Sequence, residues 1–244
     1  MSQLEEIRKY WNLRADGYSR SIWDELGEKE EEWKERMAQL LGSSAGKKAL
    51  DLGCGPGMFT MLLTGIGYEV TAFDYSDEML KKAEKNVRER EYTAKFMRGD
   101  AQNLPFEDAC FDVIVTRNLT WNLERPERAY EEWIRVLKPG GILLNFDGNH
   151  YRYFYDSEYL AAREAEQYQN GQGHKYMENI DVSVIDRIAE TLPLSKCDRP
   201  KWDLERLLEQ KVREVTASVQ WRSFSDREGS EHKIAANFLI RAVK

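Results

Sequence analysis

The chain reads as an α/β protein built on a doubly wound, mostly parallel seven-stranded sheet, with an antiparallel last strand and a helical lid. Three observations predict it. Between Lys47 and Asp147 short apolar runs alternate with longer amphipathic ones, the pitch of βαβ units. A glycine-rich loop, Gly53-Cys54-Gly55-Pro56-Gly57, follows the first apolar run. Two further strand-like runs near the C-terminus have no helix-sized connection between them, so they are expected to pair antiparallel.

The elements follow in order. Residues 1–41 show helical spacing, first at Leu4, Ile7, Tyr10 and Trp11 and later at Trp33, Met37, Leu40 and Leu41. The charge run Glu28 to Glu35 between them is expected to be a solvated helix face, and Gly42-Ser43-Ser44-Ala45-Gly46 ends the pattern. The apolar runs Lys48–Leu52, Glu69–Phe73, Ala94–Met97, Phe111–Thr116 and Ile142–Phe146 are read as strands. Met58–Gly65, Asp77–Arg90 and Pro126–Leu137 are the helices between them, with Pro126 suited to a helix start. Pro139-Gly140-Gly141 is expected to stop the last of these and turn the chain into the fifth strand. Residues 148–192 are rich in Tyr, Glu and Gln, broken at Gly171-Gln172-Gly173, and read as helices and loop. Strand character returns at Val212–Trp221 and Ile234–Val243. The expected divisions are therefore 1–46, 47–147, 148–192 and 193–244.

Composition narrows the function. The net charge is −7, and Lys and Arg are interleaved with more numerous carboxylates, which argues against nucleic acid as the main partner. No apolar run approaches the ~20 residues of a membrane helix. The first residues carry acid where a secretory signal carries base, so a cytoplasmic protein without a membrane partner is expected. Cys54, Cys110 and Cys197 are widely spaced, which supports neither a disulfide framework nor a zinc site.

The loop is the place to look for a ligand. In an open parallel sheet ligands bind beyond the carboxyl ends of the strands, where strand order reverses. Gly53, Gly55 and Gly57 permit close backbone approach, and Asp51 is expected to end the strand pointing into the same crevice. The dinucleotide pattern G-x-G-x-x-G is not met, because Met58 stands where its third glycine belongs. A phosphate-binding G-x-x-x-x-G-K-[ST] loop is missing too. Asp51 would repel a pyrophosphate and suits a ligand with a cationic end.

The segment Ala49-Leu50-Asp51-Leu52-Gly53-Cys54-Gly55-Pro56-Gly57 resembles the first motif of the class I, seven-strand S-adenosylmethionine-dependent methyltransferases. Val70–Asp74, Gly99-Asp100-Ala101 with Leu104-Pro105-Phe106, Phe111–Val115 and Leu137–Gly141 match later segments of that family in order. The similarity covers about residues 47 to 147, and the menaquinone and ubiquinone C-methylases are the subgroup these motifs resemble. The resemblance implies S-adenosylmethionine as cofactor, held by Asp51, Gly53, Cys54, Gly55 and Gly57. It further implies that Asp74 binds the ribose hydroxyls, followed by Tyr75 and Met79, and that Asp100 and Ala101 bind adenine. Asn118 and Leu119 are placed against the methionine moiety, and Tyr18 is expected to reach its carboxylate.

The acceptor side follows from the same resemblance. Thr120 and Trp121 are placed toward the substrate, Trp121 being equally readable as core. Tyr10–Ser19 resembles the short helix that closes over the cofactor in that family, so residues 1–46 are expected to cover the site; Trp11 would wall the pocket, and Arg14 would pair with Asp16 or a nearby acid. The insert adds His150, Tyr151, Tyr153, Tyr155, His174 and Tyr176, with Tyr151 and Tyr153 expected to face the substrate. His150 is the candidate general base, because imidazole titrates near neutrality. No metal is expected, since His150 and His174 lack ligand spacing. The base-methylase signature Asn/Asp-Pro-Pro-Tyr/Phe is missing, which points away from nucleic-acid bases and toward a small-molecule acceptor. The expected enzyme is a monomer or homodimer. A cofactor-binding subunit without catalysis and a nicotinamide-dependent oxidoreductase are the rival readings.

Overall fold

The computed structural model describes residues 2–170, 175–177, 180–226 and 229–244. Helix α1 (Gln3–Leu41) opens with Ser2, whose hydroxyl accepts from the Glu5 N–H, and ends where Gly42 takes φ 70°. It kinks at Lys29, where φ is −134°, inside the charge run read as one continuous face. Strand β1 (Lys48–Leu52) follows, then helix α2 (Met58–Gly65), β2 (Glu69–Asp74), helix α3 (Asp77–Glu89), β3 (Lys95–Arg98) and β4 (Phe111–Arg117). Helix α4 (Pro126–Val136) leads into β5 (Leu137–Gly148). The insert carries helices α5 (Ser157–Asn170) and α6 (Ser183–Thr191), and α7 (Lys201–Glu209) precedes β6 (Glu214–Ser225) and β7 (Glu231–Val243).

The seven strands lie in the order β3-β2-β1-β4-β5-β7-β6. Strands β1 to β5 are parallel, and β7 runs antiparallel to both β5 and β6. Covering helices on both faces make the central strands apolar on both sides: in β1 only Lys48 is exposed. One face buries Trp133, Tyr130 and Leu207 of α4 and α7, the other Met58, Phe59 and Leu62 of α2 with Ile22 and Leu26 of α1. Among the described residues no helix is long and apolar enough to cross a membrane.

Two expectations are corrected. The strand after α4 begins at Leu137, not Ile142. Leu137 pairs with Phe111, the register shifts before Val113 meets Ile142, and the Gly140 N–H donates to the Lys244 carbonyl at 2.8 Å. Pro139-Gly140-Gly141 is thus an irregularity within the strand rather than a turn ahead of it. The C-terminal strands also reach further toward their connection, to Ser225 and from Glu231, because β6 and β7 continue to pair beyond the apolar stretches.

Candidate active site

Strand order reverses between β1 and β4, and a cleft of about 730 Å³, partly open to solvent, lies over those strand ends. Its floor is the loop after β1. Gly53, Gly55 and Gly57 all hold positive φ (67°, 52° and 88°), and a Cβ on Gly53 would sit 2.9 Å from the Leu119 side chain. Gly53 and Gly55 line the cleft, whereas Gly57 starts α2 against Ala83.

Asp74 stands at the cleft on the end of β2. Its Oδ2 accepts from Gly55 N at 2.9 Å and its Oδ1 from Ser76 N at 2.8 Å, so the backbone fixes the carboxylate. Burial pushes this carboxyl above its ordinary value, and those N–H donors oppose the rise. Tyr75, beneath the Arg98 guanidinium, and the buried Met79 line the same wall. Asp100 and Ala101 line the next part, Asp100 Oδ1 accepting from the Gln102 backbone and side chain at 2.9 Å each. Asn118 and Leu119, past β4, close the far side.

Helix α1 lies across the opening. Leu4, Ile7, Arg8 and Trp11, one helical stripe, face the cleft together with Tyr18, which packs against Gly55. Arg8 is fixed by Glu5 and by Asp77 Oδ2 at 2.6 Å, and the Ser76 hydroxyl donates to Asn12 Oδ1 at 2.6 Å. The insert docks on this helix. Arg14 donates to the Tyr176 carbonyl at 2.7 Å rather than pairing with Asp16, whose partner is Lys82.

Other expected site residues stand behind the wall. Asp51 is buried beneath the loop, accepting from Thr60 Oγ1 at 2.5 Å, with its carboxyl pushed up to about 7 by burial. It does not line the cleft, because its side chain turns under the loop toward α2. Cys54 is buried in the same layer, and burial raises its thiol well above the ordinary value. Thr120 is fully buried and bonded to Asn145 at 2.9 Å. Trp121 is 6% exposed, packed among Ile7, Tyr10, Ile185 and Leu192 and tilted against Tyr151 with centroids 4.7 Å apart. Tyr153 donates to Asp186 at 3.0 Å under the Arg163 guanidinium. Only Trp11 of the expected substrate wall lines the cleft; Thr120, Trp121, Tyr151 and Tyr153 form the layer beyond it.

His150 sits beside the cleft rather than in its wall. Its Nε2 is 3.2 Å from Asn118 Oδ1 and 3.4 Å from Asp147 Oδ1. His174 lies outside the described residues. The N-terminal helix was expected to close over this site, and Trp11 and Tyr18 do line it; that Leu4, Ile7 and Arg8 join them was not read from the sequence. Asn122, which ends the segment after the fourth strand expected to face the transferred methyl but was given no role of its own, lines the cleft, is 7% exposed, and its Oδ1 has no hydrogen-bond partner among the described residues. An unpaired buried acceptor costs free energy unless a ligand donor meets it.

The cleft fits an adenosyl amino acid. Gly53 and Gly55 leave room for a close-packed ligand, and Asp74 and Asp100 line the cleft with carboxylates, groups that accept from hydroxyl and amino donors.

The comparisons agree. Residues 50–145 match the family described as Methyltransferase domain. A malonyl-[acyl-carrier protein] O-methyltransferase of Pectobacterium atrosepticum is 32% identical over 139 residues, 57% of this chain and 53% of that protein. A demethylmenaquinone methyltransferase of Staphylococcus aureus is 37% identical over 115 residues, 46% of this chain and 47% of that protein. The chain spans about half the length of the curated relatives it matches. Among solved structures, a protein of Bacillus halodurans assigned as a methyltransferase superposes with a TM-score of 0.59 at 17% identity, over 86% of this chain and 98% of that one. Residues 50–145 are therefore a methyltransferase domain of the class I, S-adenosylmethionine-dependent kind, resembling that of the menaquinone C-methylases.

Proposed function

We propose that the protein transfers a methyl group from S-adenosylmethionine to a small-molecule acceptor by in-line displacement. One observation carries the reading: Asp100, Asp74, Gly53 with Gly55, and Asn118 line one cleft in the order of the strands that present them. When bound, the cofactor supplies a methyl on a sulfonium, so attack by the acceptor forms one bond to carbon while the C–S bond breaks.

The chain's own residues bind and orient. Asp74 takes the ribose hydroxyls, Asp100 and Ala101 the adenine edge, and Tyr18, Asn118 and Leu119 the amino-acid end. Helix α1 excludes water by laying Leu4, Ile7 and Trp11 over the opening. Holding two reactants in attack geometry is worth up to ~7–11 kcal/mol, so no elaborate acid–base apparatus is needed. Trp11, backed by Trp121, Tyr151 and Tyr153, walls the acceptor side, and the insert 148–192 completes the lid. His150 removes the acceptor proton where one must leave. Its Nε2 already faces Asn118 and Asp147, so Nδ1 is the nitrogen that accepts.

Isothermal titration with S-adenosylhomocysteine is the direct test, followed by transfer of labelled methyl to a panel of small acceptors. Micromolar binding with transfer is expected. No binding of S-adenosylhomocysteine alongside tight binding of NAD overturns the reading, and binding without transfer to any acceptor favours a subunit without catalysis. Full turnover in a His150→Ala variant removes the base.

A further inference from the structure

The carboxamide of Asn118 is met from behind by the exposed His150 and, beyond it, by the buried Asp147. Asn118 sits just past β4 at φ 53°, its N–H donating to the Phe146 carbonyl at 2.8 Å. Its Oδ1 lies 3.2 Å from His150 Nε2, and the same nitrogen is 3.4 Å from Asp147 Oδ1. An ionised carboxylate only accepts, so the nitrogen facing it carries the proton, and Asn118 meets that proton with its oxygen.

Asp147 has no freedom to change this. Its Oδ1 accepts from Gly148 N at 2.8 Å and its Oδ2 from Trp121 N and Arg199 Nη1, each at 3.1 Å. Both side chains are buried, Asp147 at 0% and Arg199 at 1% exposure. Burial pushes the Asp147 carboxyl up, but the Arg199 charge and His150 hold it down at about 2, so it stays ionised.

Asn118 lines the cleft, its oxygen is engaged, and its Nδ2 has no protein hydrogen-bond partner among the described residues, which leaves the N–H groups for a ligand. Strand order identifies what it meets. Asp100 follows β3, Asp74 ends β2, the glycine loop follows β1 and Asn118 follows β4. Neighbouring strands are ~4.8 Å apart, so Asn118 stands about two spacings, ~10 Å, beyond Asp74. A nucleoside held at Asp100 and Asp74 would have Asn118 on the far side of the glycine loop, within reach of a 5′ substituent.

We propose that Asp147 and His150 are positioning residues that lock the Asn118 carboxamide with its N–H groups in the cleft, to donate to the carboxylate at the cofactor's amino-acid end. This rests on the cofactor reading above. Asp147 and His150 act through Asn118 and need no contact with the cofactor themselves.

Calorimetry on the full chain with two probes tests it: S-adenosylhomocysteine, and 5′-methylthioadenosine, which keeps the nucleoside and sulfur but lacks the amino-acid end. Asn118→Asp replaces the donor with an oxygen at the same size; S-adenosylhomocysteine should bind ~10–100-fold more weakly, and methylthioadenosine within about 2-fold of wild type. His150→Ala leaves the donor unoriented and should weaken only the first probe, ~3–10-fold, while His150→Gln, which keeps a side-chain N–H, should recover part of the loss. Imidazole ¹⁵N NMR of the unliganded wild type, which needs no variant to fold, should show the Nε2–H tautomer at His150. A Nδ1–H tautomer overturns the proposal, as does an affinity ratio between the probes that neither Asn118→Asp nor His150→Ala changes. If the wild type binds neither probe, the cofactor reading falls and takes this proposal with it; intact binding with an unmoved ratio sinks the proposal alone.

Discussion

Arg199 grips Asp203 four residues on with two prongs, Nε to Oδ2 at 2.9 Å and Nη2 to Oδ1 at 2.7 Å, both side chains being fully buried. The third guanidinium nitrogen meets Asp147, and the Tyr130 hydroxyl donates to Asp203 at 2.7 Å. One cation thus ties the end of β5 to the start of α7. Replacing Arg199 by Met strands two buried carboxylates and should cost ~3–5 kcal/mol of unfolding free energy in chemical denaturation. A loss below about 1 kcal/mol would show that the carboxylates find other partners. Arg199→Lys should recover little, because an ammonium cannot repeat the planar two-pronged contact.

The pH dependence separates two buried acids of opposite habit. Asp147 is held at about 2, below an unfolded value of ~3.9, so its contribution is present above that value and is lost as pH falls toward 2. Asp51 is raised to about 7. Between ~4 and ~7 the folded chain therefore keeps a proton that the unfolded chain gives up, and stability from this group falls as pH rises through that window. Asp51→Asn keeps an acceptor for Thr60 and removes the titration. Denaturation at several pH values across the window should give a flatter profile for the variant, and parallel profiles would refute the assignment.

Asn122 should trade stability against binding. Its Oδ1 is buried without a partner. Asn122→Leu removes that cost and should raise the stability of the unliganded chain by about 1 kcal/mol. The rise in Tm on adding S-adenosylhomocysteine should shrink in the same variant, since a residue that lines the cleft has lost its carboxamide. An equal rise in both proteins would mean that this oxygen plays no part in binding.

Gly17 makes room for the insert on α1. A Cβ there would lie 2.1 Å from the Tyr176 carbonyl oxygen, which also accepts from Arg14. Ala improves helix propensity by up to ~1 kcal/mol, so any loss in Gly17→Ala reports the docking rather than the helix. Hydrogen exchange in the insert should rise by about 10-fold or more, equivalent to ~1.4 kcal/mol of weaker docking. Unchanged exchange would show that Tyr176 moves aside freely.

Much of the core was legible because its signals are local. Strand β1 is a short, mostly apolar run ahead of the glycines, Asp77–Glu89 and Pro126–Val136 show strong helical periodicity, and the glycine loop announces its backbone by residue type. Asp74 and Asp100 could be placed because the segments that hold them resemble later motifs of the class I methyltransferases, in order after the glycine loop. The direction of a side chain was less legible. Asp51 follows the same strand-end logic as Asp74, yet it turns under the loop to Thr60, since the cleft side of that strand end belongs to the glycine backbone. Trp121 kept two readings open until packing against Tyr151 and Ile185 put it behind the wall.

The sequence by itself determined the element order, the parallel core with its antiparallel C-terminal pair, and the loop and carboxylates that name the cofactor. Periodicity, glycine conformational freedom and motif spacing are properties of neighbours along the chain, so they survive without coordinates. Only the tertiary structure decided that Leu4, Ile7 and Arg8 of α1 line the cleft, that Asp147 joins Trp121, His150 and Arg199 from separate segments, and that the Asn122 Oδ1 is buried unpaired. These contacts join residues far apart in sequence, and burial sets their energies. Burial exists only once the chain has closed on itself.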